Sequence, residues 1–124
     1  MKIKTPQAIS IINKLSLFTD YWNPKIVGGL NGQDIKVVKL KGEFVWHLHE
    51  ETDELFWVIK GKLIIHFREK DIILNPGEFL VIPKMLEHKP EAQKEVQAVL
   101  IESKGTVNTG NVKSKYTVKK LKKI

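Results

Sequence analysis

The feature that most constrains this sequence is a series of short apolar runs, each closed by Gly, Pro, Asn or Asp. Such runs, rich in Val, Ile, Phe and Trp, are typical of β-strands separated by turns. Many short strands with turns at intervals of about 8 to 12 residues favour an all-β sandwich or closed barrel over a parallel α/β sheet. We predict strands at residues 25–28, 34–40, 44–49, 54–59, 62–67, 72–74, 79–82 and 95–102.

Three of the connectors carry recognisable turn chemistry. Asn31-Gly32 and Lys60-Gly61 each predict a tight hairpin, because these residue pairs adopt the backbone conformations that two-residue loops need. Asn75-Pro76-Gly77 predicts a turn initiated by proline.

One short helix is expected before the first strand. Thr5 fits the N-cap and Pro6 the first helical position, where the missing N–H group costs nothing. The helix is expected to end between residues 16 and 19. Its apolar side follows helical spacing at Ala8, Ile9, Ile12 and Leu15.

Composition limits the class of protein. A chain of 124 residues with 42% apolar and 28% charged residues is the size and balance of one globular domain. It has no cysteine, which excludes a disulfide scaffold, a thiol nucleophile and a Cys-based metal site. No apolar run reaches the length of a membrane span, and the first residues lack the pattern of a signal peptide. We therefore expect a soluble, cytoplasmic protein that does not contact a membrane.

The net charge of +7 is confined to the C-terminal end. Residues 1–102 carry 14 basic and 14 acidic side chains, whereas the residues beyond Glu102 contain seven lysines and no acid. A lysine-rich end of this kind is usually a solvated tail rather than an arm that binds polyanions. We therefore expect no nucleic-acid partner, and we interpret residues 103–124 as a basic tail that could add one edge strand.

Two of the four histidines, His47 and His49, lie two residues apart on a predicted strand, so both side chains leave the same face. Glu54 begins the next predicted strand after a polar loop, and a hairpin between those strands would bring its carboxylate to the histidines. His88 follows downstream. Three imidazoles and one carboxylate suit a divalent transition metal such as Fe, Mn, Ni, Zn or Cu. His66 is expected to be a core or exposed residue outside this set.

Glu54 has acidic neighbours that are alternative ligands, namely Glu50, Glu51 and Asp53. Strand alternation favours Glu54, because its side chain leaves the same face of the predicted strand as those of Phe56 and Val58. The other three acids are interpreted as a solvated rim.

The spacing around these residues resembles the two sequence motifs of the cupin superfamily. Those motifs run Gly, His-x-His, Glu, Gly and then Gly, Pro, His, and the resemblance covers about residues 35–102. In this chain they read Gly42-x4-His47-x-His49-x4-Glu54-x6-Gly61 and Gly77-x5-Pro83-x4-His88. The match departs from the usual motifs in three places: the interval from Gly42 to His47 is one residue short, Met85 replaces a glycine, and Ala92 replaces an asparagine.

The resemblance implies a small jelly-roll β-barrel with one metal ion near its axis. It implies that His47, His49, Glu54 and His88 are the metal ligands, with Glu54 also a candidate for proton transfer. The whole chain, residues 1–124, is then a single domain: a core barrel at about 35–102, an N-terminal helix and hairpin at 5–40, and the basic tail at 103–124.

The resemblance does not identify a reaction. Cupins with these ligands include dioxygenases, isomerases and lyases that act on small molecules, and fold does not determine function. The alternative is a non-catalytic module that binds or senses a small ligand and holds a structural metal. We also expect a homodimer, because a small barrel leaves sheet edges that a second copy can cover.

Overall fold

The computed structural model describes all residues, 1–124, and shows one antiparallel sheet of seven strands with one short helix. The all-β prediction is therefore confirmed. The elements are α1 (Ile11–Leu15), β1 (Lys25–Leu30), β2 (Gln33–Glu43), β3 (Glu54–Lys60), β4 (Leu63–Phe67), β5 (Asp71–Leu74), β6 (Phe79–Ile82) and β7 (His88–Ser103). The helix is far too short to cross a membrane, and no other helix is present.

The sheet is organised around its longest strand, β7. β2 runs along one side of β7, while β3 and β4 share the other side, each pairing with a different part of it. β1 extends the sheet beyond β2, β6 lies beyond β3, and β5 lies beyond β4. Side chains from β2 to β7 all enter one core cluster, which requires the sheet to roll around that core as a jelly-roll barrel does.

A second, smaller cluster lies on the outer face of the sheet. Leu15 of α1 covers Val27, Val37 and Val99, which point away from the barrel interior because strand side chains alternate. The helix is shorter than predicted and begins later, since its N-cap is Ser10 and not Thr5. The Ser10 side chain accepts a hydrogen bond from the Asn13 N–H at 3.1 Å. Residues 1–10 are exposed, so they have no surface that would support a longer helix.

Two of the three turn predictions are confirmed. Asn31-Gly32 joins β1 to β2 as a two-residue hairpin with positive φ at both positions. Glu78 N–H bonds to the Asn75 carbonyl at 3.0 Å, closing the proline turn. Lys60-Gly61 does not form a hairpin, because β3 and β4 both pair with β7 and not with each other. A Cβ at Gly61 would lie 2.6 Å from the Glu95 carbonyl oxygen, so glycine is required there.

The strand predicted at residues 44–49 is wrong. Phe44 and His47 donate backbone hydrogen bonds to the carbonyls of Pro90 and His88, so three steps along this segment match only two steps along β7. The extra residue is a bulge, and it breaks the regular alternation of side chains. Phe44 therefore turns inward beside His47, with ring centroids 5.2 Å apart, whereas regular alternation would place two residues three positions apart on opposite faces. The predicted hairpin with β3 does not form.

The C-terminal segment, residues 105–124, is not a free tail. Its lysines are exposed, but Tyr116 packs on Phe44 and Trp22, with ring centroids 5.3 and 6.1 Å apart. The end of the segment bonds to β1 through Ile26, whose N–H donates to the Lys122 carbonyl at 2.8 Å. The edge strand suggested for this segment does not form. Only one isolated parallel β-bridge, between Ile26 and Lys123, is present. The segment thus closes one side of the barrel.

Candidate metal centre

The structure brings His47, His49, Glu54 and His88 together inside the barrel. One ligand atom from each lies within 4.8 Å of the others, and all four residues are at most 5% exposed. Glu54 is the first residue of β3 and His88 the first residue of β7, while the bulged segment before β3 carries the other two. The set that the sequence identified therefore converges, although the hairpin expected to assemble it is absent.

Backbone carbonyls orient two of the imidazoles. Nδ1 of His47 lies 2.9 Å from the Val45 carbonyl oxygen, and Nδ1 of His88 lies 2.9 Å from the Leu86 carbonyl oxygen. A carbonyl only accepts, so each Nδ1 carries the proton and each neutral ring presents an unprotonated Nε2. The backbones of His47 and His88 also bond to each other in both directions, at 3.0 and 2.9 Å. This arrangement fixes both rings before any ligand binds.

Three atoms of the cluster are buried without a hydrogen-bond partner: Nε2 of His49, Nε2 of His88 and Oε1 of Glu54. Each of the two nitrogens lies 3.4 Å from that carboxylate oxygen. Because Nε2 of His88 is unprotonated, its lone pair faces a lone pair of Glu54 Oε1 with no proton between the two atoms. Such a contact between two buried acceptors costs free energy. A cation bound at their centre would satisfy all three atoms. The donor set of three imidazoles and one carboxylate therefore fits a divalent transition metal.

The protonation states also suit a metal. Burial, with a smaller contribution from His88, lowers the pKa of His47 to about 4. Burial alone would raise the pKa of Glu54, but the imidazole of His49 outweighs it and holds that pKa well below its usual value. Near neutral pH the chain thus offers a neutral imidazole and a carboxylate, which are the forms that bind metal.

The alternative ligands lie outside the cluster. Glu50, Glu51 and Asp53 are all exposed, and Asp53 accepts a hydrogen bond from the Lys84 N–H at 2.9 Å. His66 is also separate. Its ring nitrogens lie 2.6 Å from Asp71 Oδ1 and 2.7 Å from Glu91 Oε1 on the barrel surface.

A second buried carboxylate, which the sequence analysis missed, lies beside the cluster. Glu102 is 1% exposed, and its Oε2 lies 3.9 Å from Nε2 of His49. Its Oε1 accepts a hydrogen bond at 2.9 Å from Nζ of Lys36, which is equally buried. Burial and the negative charge of Glu54 raise the pKa of Glu102 well above its usual value, and Lys36 opposes that rise. A cation held by Glu54 would offset much of this repulsion.

A sequence signal for this pair existed. On β7, Glu102 is an even number of residues from Ala98 and Leu100, so its side chain faces the same side of the sheet as theirs. On β2, Lys36 is two residues from Val38 and faces the same side. Alternation therefore places both charged side chains inside the barrel.

The C-terminal segment supports the bulged segment that carries His49. Leu48 N–H donates to Asn111 Oδ1 at 2.9 Å, and Asn111 N–H returns a bond to the Leu48 carbonyl at 3.1 Å. Gly110 lies so close that a Cβ there would be 2.1 Å from the same carbonyl oxygen. On the other side, Met85 N–H donates to the His49 carbonyl at 2.8 Å. The position of His49 thus depends on residues more than thirty positions away.

A small cavity of about 30 Å³ adjoins the cluster and reaches His47, Glu54 and Glu102. This is room for one or two water molecules beside a metal ion. Its other walls are mainly apolar and include three aromatic rings. The wall residues are Trp22, Pro24, Val38, Leu40, Phe44, Phe56, Pro90, Leu100 and Asn108.

Comparison with known proteins agrees with this geometry. Residues 36–103 match the family model described as "Cupin domain". The crystal structure of a cupin-2 domain containing protein from Shewanella frigidimarina is 46% identical with a TM-score of 0.76, over 77% of this chain and 94% of that one. A structure from Neisseria meningitidis is 28% identical with a TM-score of 0.71, over 78% of this chain and 99% of that one. The uncharacterized protein YdbB of Bacillus subtilis is 30% identical over 79 residues, which are 63% of this chain and 70% of that protein.

Proposed function

The chain belongs to the cupin family, and on that basis we propose that His47, His49, Glu54 and His88 hold one divalent transition metal ion, which is Fe, Mn, Ni, Zn or Cu. The observation that carries this proposal is the group of three buried atoms without hydrogen-bond partners that face one another at the centre of the cluster. Three neutral imidazoles and one carboxylate leave a single net positive charge on a divalent ion. They also leave coordination positions free for water or a ligand.

We propose that the chain is a metal-dependent enzyme that acts on a small molecule, with chemistry of the dioxygenase, isomerase or lyase type. A bound metal ion supplies Lewis-acid or electron-relay chemistry at such a site. His47 and His88 keep the site rigid through their carbonyl-bound Nδ1 atoms, and the apolar walls exclude bulk water. Glu54 is the candidate catalytic residue, because the second oxygen of a carboxylate that binds through Oε1 can accept a proton from a neighbouring ligand.

The small cavity supports one alternative function. Space of about 30 Å³ does not accommodate a substrate larger than a few atoms unless the walls move. The alternative is therefore a non-catalytic module in which the metal stiffens the barrel and a small ligand is bound or sensed.

Elemental analysis of untagged protein tests the metal site. We expect close to one equivalent of a transition metal after reconstitution and a lower melting temperature after chelation, because the metal binds only the folded arrangement. His47→Ala and His88→Ala should each lose most of the metal. His66→Ala is the matched control and should keep it, because His66 lies on the surface between two carboxylates. Less than about a tenth of an equivalent in the wild-type protein would refute the site.

Water-proton relaxation of the Mn(II)-loaded protein separates the two functions. An enzyme needs an exchangeable coordination position, so the bound Mn(II) should relax bulk water strongly, and a small coordinating ligand should reduce the effect. A relaxation rate no greater than that of a fully enclosed ion would support the structural-metal alternative.

We also propose that residues 1–124 form one domain and that two copies assemble as a homodimer. The N-terminal helix packs on the barrel through Leu15, and the C-terminal segment packs on it through Tyr116. Trp57 and Phe79 are exposed and opposite each other on β3 and β6, and β6 is an edge strand. Such a patch beside an open edge suits a second copy. Light scattering at micromolar concentration should give about twice the 14.3 kDa chain mass, and the monomer mass would contradict the proposal.

A further inference from the structure

The proposed metal ligands leave one buried polar atom unexplained, which is Oε2 of Glu102. It has no hydrogen-bond partner, lies 3.9 Å from the proposed ligand atom of His49, and belongs to a side chain that lines the cavity. A buried acceptor without a partner costs free energy. A bound molecule that donates a hydrogen bond would remove that cost.

Lys36 fixes the direction of this carboxylate. Its Nζ bonds Oε1 at 2.9 Å, and both side chains are 1% exposed, so Oε1 already has a partner and Oε2 has none. In the metal-free protein burial and Glu54 favour the protonated form of Glu102, but the ammonium group of Lys36 and a cation at the proposed metal site both favour the carboxylate. With metal bound, Oε2 is therefore an acceptor. Packing does not require such a pair, since apolar residues of similar volume generally stabilise a core as well or better. The next inward-facing residues are Val38 on β2 and Leu100 on β7, both of which are apolar and line the cavity. An apolar pair would therefore match the wall around Lys36 and Glu102.

The remaining walls of the cavity offer a ligand almost no polar contact. Besides Glu102, the polar residues that line it are His47 and Glu54, which belong to the proposed metal set, and Asn108. The Asn108 amide is already used, because its Nδ2 donates to the Trp22 and Tyr116 carbonyls at 3.3 and 2.8 Å. Its Oδ1 accepts from the Val118 N–H at 2.9 Å. No lysine or arginine lines the cavity, so an anion would find no counter-charge except the metal.

We propose that Glu102 is the specificity-determining residue of the site and that its Oε2 accepts a hydrogen bond from the ligand. The ligand class is a small molecule that coordinates the metal and carries an O–H or N–H group next to the coordinating atom. Anions without a hydrogen atom are disfavoured, because they would meet a carboxylate at the position of the donor. This inference rests on the proposed metal site and adds to it the chemistry of the ligand.

The test uses the full chain loaded with Co(II), whose visible spectrum reports ligand binding. The probes are hydroxylamine, which is small enough for the cavity and keeps an O–H next to the nitrogen atom that coordinates, and azide, which has no hydrogen atom. Glu102→Gln should weaken hydroxylamine binding by about tenfold or more, the loss expected for a hydrogen bond to a charged group. The same substitution should strengthen azide binding. Glu51→Gln removes an equal charge from the exposed rim and should change neither affinity.

The possible failures are distinguishable. If the wild-type protein does not take up Co(II), the proposed function itself is wrong. If Co(II) binds but Glu102→Gln changes both affinities in the same direction or neither, the inference about Glu102 is overturned.

A second variant covers the case in which Glu102→Gln does not fold. The double substitution Lys36→Met with Glu102→Leu replaces the whole buried pair by apolar side chains of similar size, which is commonly neutral or stabilising. It should retain Co(II) and show the same opposite shifts in the two affinities. A double variant with wild-type affinities for both probes would show that the pair is purely structural.

Discussion

The metal-free protein should lose stability in mild acid because of His47. Burial, and to a lesser extent the neighbouring His88, lower the pKa of His47 from 6.5 to about 4. The folded protein therefore keeps this imidazole neutral down to about pH 4. In the unfolded chain the same imidazole takes up a proton as the pH falls through 6.5.

The sign and size of the effect follow from proton linkage. Between pH 6.5 and pH 4 the unfolded state binds more protons than the folded state, so the free energy of unfolding decreases as the pH falls. A pKa lowered from 6.5 to about 4 corresponds to at most about 3 kcal/mol, at about 1.4 kcal/mol for each pKa unit. The contribution is fully present above pH 6.5 and is lost by pH 4.

Urea unfolding in the presence of EDTA, followed by tryptophan fluorescence at several values between pH 7.5 and pH 4.5, measures this loss. His47→Gln should be less stable at neutral pH but should lose distinctly less stability on acidification. If wild type and His47→Gln lose equal free energy between these pH values, the reasoning is refuted.

His66 provides a control of opposite sign. Hydrogen bonds to Glu91 and Asp71 raise the pKa of His66, so its contribution to stability is present below pH 6.5 and is lost as the pH rises through the raised value. His66→Gln should therefore lose more stability than wild type on acidification.

Two further predictions concern the backbone around the site. Deletion of residues 113–124 should lower the melting temperature by about 10 °C or more. The deletion removes the contact of Tyr116 with Phe44 and takes away two of the three hydrogen-bond partners of the Asn108 side chain. A change of only a few degrees, measured by calorimetry, would mean that the segment is dispensable. Met85→Gly should raise the melting temperature by about 2–5 °C, because Met85 has φ 73 where only glycine is unstrained, whereas Met85→Ala should give no such gain.

The sequence predicted the local features of the fold well. Residue pairs such as Asn31-Gly32 determine backbone conformation without help from distant residues, and the continuous apolar runs 55–59 and 79–82 locate β3 and β6. The bulge between Phe44 and His47 could not be predicted in this way, since it depends on how that segment pairs with β7. The docking of the lysine-rich end was missed for a related reason. Its few apolar residues, such as Tyr116, contact aromatic rings from distant parts of the chain.

The geometry of β7 explains why the cluster was found from sequence while Glu102 was missed. His88 begins this strand and Glu102 lies near its end, so a straight strand would separate them by about 45 Å at roughly 3.3 Å for each residue. Yet His88 lies 3.4 Å from Glu54, and Glu102 lies 3.9 Å from His49, whose side chain is itself 3.4 Å from Glu54. β7 must therefore curl around the barrel. The register shift opposite Leu40 and Gly42 marks a bulge where such bending is favoured. Sequence motifs identify the ligands by their order along the chain, but only this curvature brings the far end of the same strand back to the site.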